Sequence, residues 1–176
     1  MTWAAIVLAG GASRRLGGGD KTALDLGGRT VLDRVLTGLA EAASVVVVGA
    51  EVQGGPVAAL AAGMGRLDGL EEVVLTIAGD QPFVGGAAPA LLGALTAPPP
   101  NADVAVLVRD GRRHYLAAAW RRTALEAALQ RLGDPTDAAV RRLFEDAAVI
   151  EVEDPAGWSD DIDTPEALAA ARRRQG

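Results

Sequence analysis

The chain has 176 residues, and Lys+Arg 17 against Asp+Glu 23 leave a formal net charge of −6, a field that repels nucleic-acid polymers and anionic membrane surfaces. Hydrophobic residues at 49% and charged residues at 23% exclude disorder as the main state and suffice for one domain over 1–176. Cys 0 excludes disulfides, thiolate metal sites and cysteine nucleophiles together.

The first residues, MTWAAIVLAGG, carry no basic leader and turn to glycine at Gly10, so neither a secretion signal nor a spanning helix is read there and a cytoplasmic location is expected. Residues 3–9, 44–48 and 72–78 are short, nearly continuous apolar runs, the pattern of parallel strands covered on both faces. Between them, 31–42 and 57–67 place apolar side chains three and four residues apart, as amphipathic helices do. A helix is expected over 87–95, ended by the prolines at 98–100. Strands are then predicted at 103–108 and 114–120, separated by an Asp110-Gly111 turn suited to a tight reversal. Helices over 122–132 and 136–144, a strand at 149–152 and a helix over 164–174 complete the chain, the last capped by Thr164 ahead of Pro165. Strands alternating with helices imply a three-layer α/β/α sandwich with a mostly parallel, Rossmann-like sheet. Ligands of such sheets bind beyond the carboxyl ends of the strands, where the strand order reverses.

The loop leaving the first strand reads LAGGASRRLGGGDK at 8–21. Glycines let a backbone turn its N–H groups onto phosphate oxygens, and Arg14, Arg15 and Lys21 supply positive charge; the same composition also fits a flexible glycine turn with surface cations. A P-loop would need glycine where Asp20 and Arg15 stand, and a dinucleotide fingerprint begun at Gly17 would need its third glycine at Thr22.

The spacing resembles LAGGxSxRMGxDK, the signature loop of the nucleotidyltransferases of the sugar-nucleotide and molybdenum-cofactor type, with Leu16 in place of Met and one extra glycine. GPVAAL at 55–60, AGDQPFV at 78–84 and DIDTPEAL at 161–168 follow in the family's order. The resemblance is strongest to the MobA-like molybdenum cofactor guanylyltransferases. It implies a nucleotide-diphospho-sugar transferase type of fold and transfer of GMP from GTP to molybdopterin with Mg²⁺ as cofactor. It further implies that Leu8, Ala9, Gly10, Gly11 and Ser13 bind the nucleotide, and that Arg14, Arg15 and Lys21 hold the triphosphate, with Lys21, Arg15 and Asp80 catalytic. Asp80, placed directly after a strand, is the expected Mg²⁺ ligand.

Asp161 and Asp163 alternate across Ile162 and so project to one side of an extended segment; Asp163 is either a second metal ligand or part of the helix entry. By the resemblance, Arg113, His114 and Tyr115 fall on the acceptor side. Two departures leave the base open between GTP and CTP. The aspartates at 161 and 163 are typical of the related cytidylyltransferases, and the loop 49–55 is shorter than in the family, with Glu51 as its one acidic residue. Beside an enzyme, a nucleotide-binding module without catalysis fits the same residues. The expected partners are GTP (or CTP) and molybdopterin, with no nucleic acid and no membrane, in a monomer or weak oligomer.

Overall fold

The computed structural model describes residues 1–10, 19–98 and 101–174. The short apolar runs form β1 (Trp3–Leu8), β2 (Ser44–Val48), β3 (Val73–Ala78), β4 (Val104–Arg109), β5 (Arg112–Arg121) and β6 (Val149–Glu153). They make one six-stranded sheet of order β2-β1-β3-β5-β4-β6, in which β5 runs antiparallel to β3 and β4 and the other pairings are parallel.

The helices are α1 (Val31–Gly38), α2 (Gly55–Met64), α3 (Ala88–Thr96), α4 (Arg122–Leu132) and α5 (Pro165–Arg173). On one face of the sheet α1 and α3 bury Val35, Leu91 and Leu95 against Ala5, Val7, Leu75 and Ile77. On the other, α2 and α4 bury Val57, Leu60 and Leu125 against Ala4, Ile6, Val74 and Val106. This is the expected three-layer α/β/α sandwich, and it explains the strand sequences: with helices on both faces, every β1 and β3 side chain but the last is buried. Trp120 lies wholly in the core and Trp3 at its margin. α5 covers a satellite cluster of Leu26, Val31 and Ile162. Among the described residues no helix is long and apolar enough to cross a membrane.

Local chemistry sets the element ends. Thr30 and Asp33 close a reciprocal capping box on α1, and the Thr164 hydroxyl accepts from Ala167 N at 3.1 Å to start α5. Asp110 and Gly111 both have positive φ, 51° and 70°, giving a two-residue hairpin. The tight hairpin starts β5 at Arg112, so Arg112 and Arg113 belong to the sheet rather than to a loop. Pairing with β4 then steps from Val108↔Arg113 to Val106↔Ala118, and the excess residues of β5 form a bulge around His114 to Leu116. One expectation fails: no α-helix spans 136–144. Asp137 adopts φ 53°, incompatible with a helix, and Val140–Phe144 forms a short 3₁₀ helix.

The order reverses at β1, whose neighbours are β2 and β3, so the carboxyl ends at Leu8 and Ala78 lie side by side. Gly79 N donates to Leu8 O at 2.8 Å, an approach that leaves no space for a side chain. A Cβ at Gly79 would stand 2.9 Å from Leu8 O and 3.2 Å from Ala9 Cα. Gly79→Ala is therefore expected to destabilise the fold by about 1–3 kcal/mol, read from urea unfolding; an unchanged midpoint would show that the two strand ends part without cost.

Candidate active site

Three hollows open along the carboxyl edge of the sheet. The first, of about 390 Å³, lies between the end of β1 and the turn into α2, walled by Leu8, Gly10, Val48, Gln53, Gly54 and Gly55. The second is a more open cleft of about 490 Å³ beside the β5 bulge, walled by Gln81, His114, Tyr115, Arg141, Asp161 and Asp163. Lys21, Ala78, Asp80 and Leu116 line both. The third, of about 330 Å³, sits under α5 and shares His114 and Asp161 with the open cleft.

At the junction of the first two, Lys21 begins a 3₁₀ turn whose N-cap, Asp20, accepts from Thr22 N at 2.9 Å and Thr22 Oγ1 at 2.7 Å. The turn aims the Lys21 ammonium at Asp80 Oδ2, 3.2 Å away, and at Asp163 Oδ1, with which it also forms an ion pair. Burial disfavours the charged ammonium, but the hydrogen bonds and charges of Asp163 and Asp80 outweigh it, and the Lys21 pKa lies above its ordinary value. Asp161 stands nearby in the opposite condition. Burial first, then the charges of Asp163 and Asp80, push its carboxyl above the usual range.

Asp163 reaches this junction because the segment before α5 is fastened at several points. Ile162 N donates to Asp80 O at 3.0 Å and buries its side chain, which leaves Asp161 and Asp163 on the other side, as their spacing predicts. Gln81 Nε2 donates to Ser159 O at 3.1 Å from a buried position. Asp154, buried at the start of the segment, accepts from Trp158 N, Ser159 N and Ser159 Oγ at 2.7–2.8 Å.

Burial raises the Asp154 carboxyl, but these hydrogen bonds and the Arg109 charge outweigh it, and its pKa falls below the ordinary aspartate value. A folded-state pKa below the unfolded one stabilises above the unfolded value and ceases to as pH falls through the folded one. Asp154→Ala is expected to lose about 1–3 kcal/mol at neutral pH, a deficit that narrows in acid below the ordinary aspartate range. Urea midpoints of both proteins across that range test it; a gap independent of pH contradicts the assignment.

The structure brings together Leu8, Gly10, Lys21, Asp80, Asp163, His114 and Tyr115, with Ala9 beside them at the end of β1. Gly11, Ser13, Arg14 and Arg15 lie outside the described residues. Arg113 goes elsewhere: it pairs with Glu151 at 2.6 Å and lines none of the three hollows, because the hairpin holds it on the β6 side of the bulge. Glu51 is likewise turned away, its carboxylate accepting from Gly49 N at 3.2 Å and Arg66 at 3.3 Å. Residues 49–55, read as a loop shorter than in the family, wall the first hollow through Gly49, Ala50, Val52, Gln53, Gly54 and Gly55. Arg141 was not anticipated; its only advance signal was two adjacent arginines in a segment expected to be helical.

Among the described residues no group of three or more His, Cys, Asp or Glu is arranged to hold a metal unaided. Asp80 and Asp163 nevertheless converge on one cation. Such hard oxygen donors fit a divalent ion like Mg²⁺, which takes one or two carboxylates and fills its remaining positions with water and phosphate oxygens.

Residues 5–152 match the model of the MobA-like NTP transferase domain. A molybdenum cofactor guanylyltransferase of Mesorhizobium japonicum is 33% identical over 97% of this chain and 94% of its own length. A second of that name, from Acidiphilium cryptum, is 34% identical over 74% of this chain and 73% of its own. The crystal structure of 4-diphosphocytidyl-2C-methyl-D-erythritol synthase from Anaerococcus prevotii superposes with a TM-score of 0.75 at 18% identity, covering 99% of this chain and 98% of that one, and so shares the fold.

Proposed function

The chain belongs to the MobA-like NTP transferase family, and from that premise we propose that it transfers GMP from GTP to molybdopterin and releases pyrophosphate. The observation that carries this reading is the Lys21–Asp80 pair shared by two adjoining hollows. A nucleotide in the first and a phosphorylated acceptor in the second meet at one positive group and one carboxylate.

In the reaction an acceptor phosphate oxygen forms a bond to the α-phosphorus of GTP while the bond to the bridging oxygen breaks and its electron pair leaves with pyrophosphate. The attacking oxygen is already anionic at neutral pH, so positioning and charge neutralisation carry the catalysis and no strong base is required. Lys21 exchanges its carboxylate partners for phosphate oxygens. Asp80 and Asp163 would hold Mg²⁺, which supplies neutralisation of the triphosphate charge. Leu8, Ala9, Gly10, Gly11, Ser13 and Arg14 are assigned to the nucleotide, Arg15 to the triphosphate, and His114 and Tyr115 to the acceptor. Residues 1–176 act as one nucleotidyltransferase domain, in a monomer or weak oligomer. The nucleoside triphosphate supply favours a cytoplasmic site of action.

The test is incubation of the purified protein with Mg²⁺, molybdopterin and labelled GTP or CTP, with pyrophosphate and the dinucleotide product measured. Product from GTP is expected. Product from CTP alone would reassign the base, and no product from either removes the catalytic reading.

A further inference from the structure

The third hollow has no part in the reaction as described, yet it adjoins the open cleft: His114 and Asp161 line both. Its chemistry differs from that of the other two. Phe83 supplies an aromatic face with the Arg174 guanidinium laid over it, 3.8 Å from the ring centroid, a flat pair rather than a rounded apolar surface. Arg174 is itself located by its bond to Gly157 O at 2.8 Å. The α5 side presents Ala167 and Ala170, whose small side chains leave the volume empty. Asp160 is occupied by Arg109 at 3.0 Å, so Asp161 is the carboxylate of this hollow with no salt bridge among the described residues.

We infer that the third hollow seats the planar heterocyclic end of the acceptor, while the acceptor's phosphate lies at Lys21. The inference rests on the molybdopterin reading above. Pterin is flat and presents a ring N–H and an amino group side by side on one edge, a pair of donors that one carboxylate accepts in parallel. Asp161 provides that carboxylate at the mouth of the hollow, and the Phe83–Arg174 pair provides a surface for stacking. An acceptor long enough to carry a ring at one end and a phosphate at the other then spans the two adjoining hollows past His114 and Asp161. That arrangement gives the site a means of refusing short phosphorylated compounds, which would fill the open cleft and leave the ring-binding contacts unmade.

Ala170 is exposed on α5 and lines the hollow, so Ala170→Phe fills the space without disturbing the core. The variant is expected to raise the KM for molybdopterin by about tenfold or more and leave the GTP Kd unchanged. Free pterin, followed by its own fluorescence, should bind the wild type and lose affinity by a similar factor in the variant. Arg174→Leu should reproduce both effects by removing the stacked cation. Wild-type KM and pterin affinity in both variants would overturn the inference. Should the wild type release no pyrophosphate from GTP and molybdopterin, the functional reading falls by itself. The pterin titration then decides the hollow alone: binding weakened by filling sustains it, and absent or unaffected binding refutes it.

Discussion

Lys21→Ala is expected to lower kcat/KM for dinucleotide formation by about 10³-fold, because it removes the cation that, among the described residues, lines both the first hollow and the open cleft. The magnitude follows from where the ammonium sits. Its side chain is 14% exposed, and it bridges Asp80 and Asp163 at the joint between two hollows. There a positive charge works against little water screening. The raised pKa of Lys21 keeps it charged through the neutral range, so activity should show no alkaline loss from this group until the pH exceeds the ordinary lysine value. The sign for stability is the same: the contribution is complete below the unfolded pKa and lost as pH climbs through the higher folded one. Lys21→Arg restores the charge but not its compact shape, and partial recovery is expected. Steady-state kinetics with circular dichroism as a folding check measure this. A folded Lys21→Ala protein within tenfold of wild type would sink the assignment.

The second large effect belongs to Asp80. Asp80→Asn keeps the size of the side chain, and the backbone carbonyl that receives Ile162 N is untouched, so the segment carrying Asp163 remains docked. What disappears is one of two negative charges offered to a cation. Turnover is expected to fall about 10³-fold and the Mg²⁺ concentration needed for half-maximal rate to rise. Isothermal calorimetry of GTP, with and without Mg²⁺, separates this from a binding protein without catalysis. If the wild type binds GTP and turns nothing over, and Asp80→Asn binds as well as wild type, the domain is a nucleotide-binding module. Loss of turnover in a variant that still folds excludes that alternative.

Much of the architecture was legible from apolar patterning because helices on both faces of the sheet demand continuous hydrophobic strands, and that demand writes itself into runs such as the one ending at Leu8. The Asp110-Gly111 reversal was equally readable, since two consecutive positive φ values require residues of that kind. Patterning failed where one backbone angle decided the outcome. Residues 136–144 have helical spacing, yet Asp137 at φ 53° interrupts them before the 3₁₀ turn. In the site, Asp80 and Asp163 stood out because one follows a strand end and the other precedes a helix start, whereas Lys21 entered through the resemblance of its glycine loop. The place of Arg113 outside the three hollows was not legible, because a bulge in β5 adds residues without changing the apolar pattern and residue type carries no sign of which side chains it redirects. The pairing of Glu51 was hidden for a related reason: an acidic residue in a tight loop finds a nearby backbone N–H first. The part that residues 49–55 play in walling the first hollow was not legible either, since the glycines and small apolar residues there carry no chemical signature.

The bond from Ile162 N to Asp80 O fastens a late stretch of chain onto the tip of a central strand, and the lysine it serves stands 142 positions before Asp163. A nascent chain leaving the ribosome can bring β1 to β3 together while this clasp is still unsynthesised. During that interval Lys21 faces Asp80 alone, and the transfer chemistry has no second carboxylate to work with. Competence therefore arrives only when the segment carrying Asp163 docks onto strands already in place.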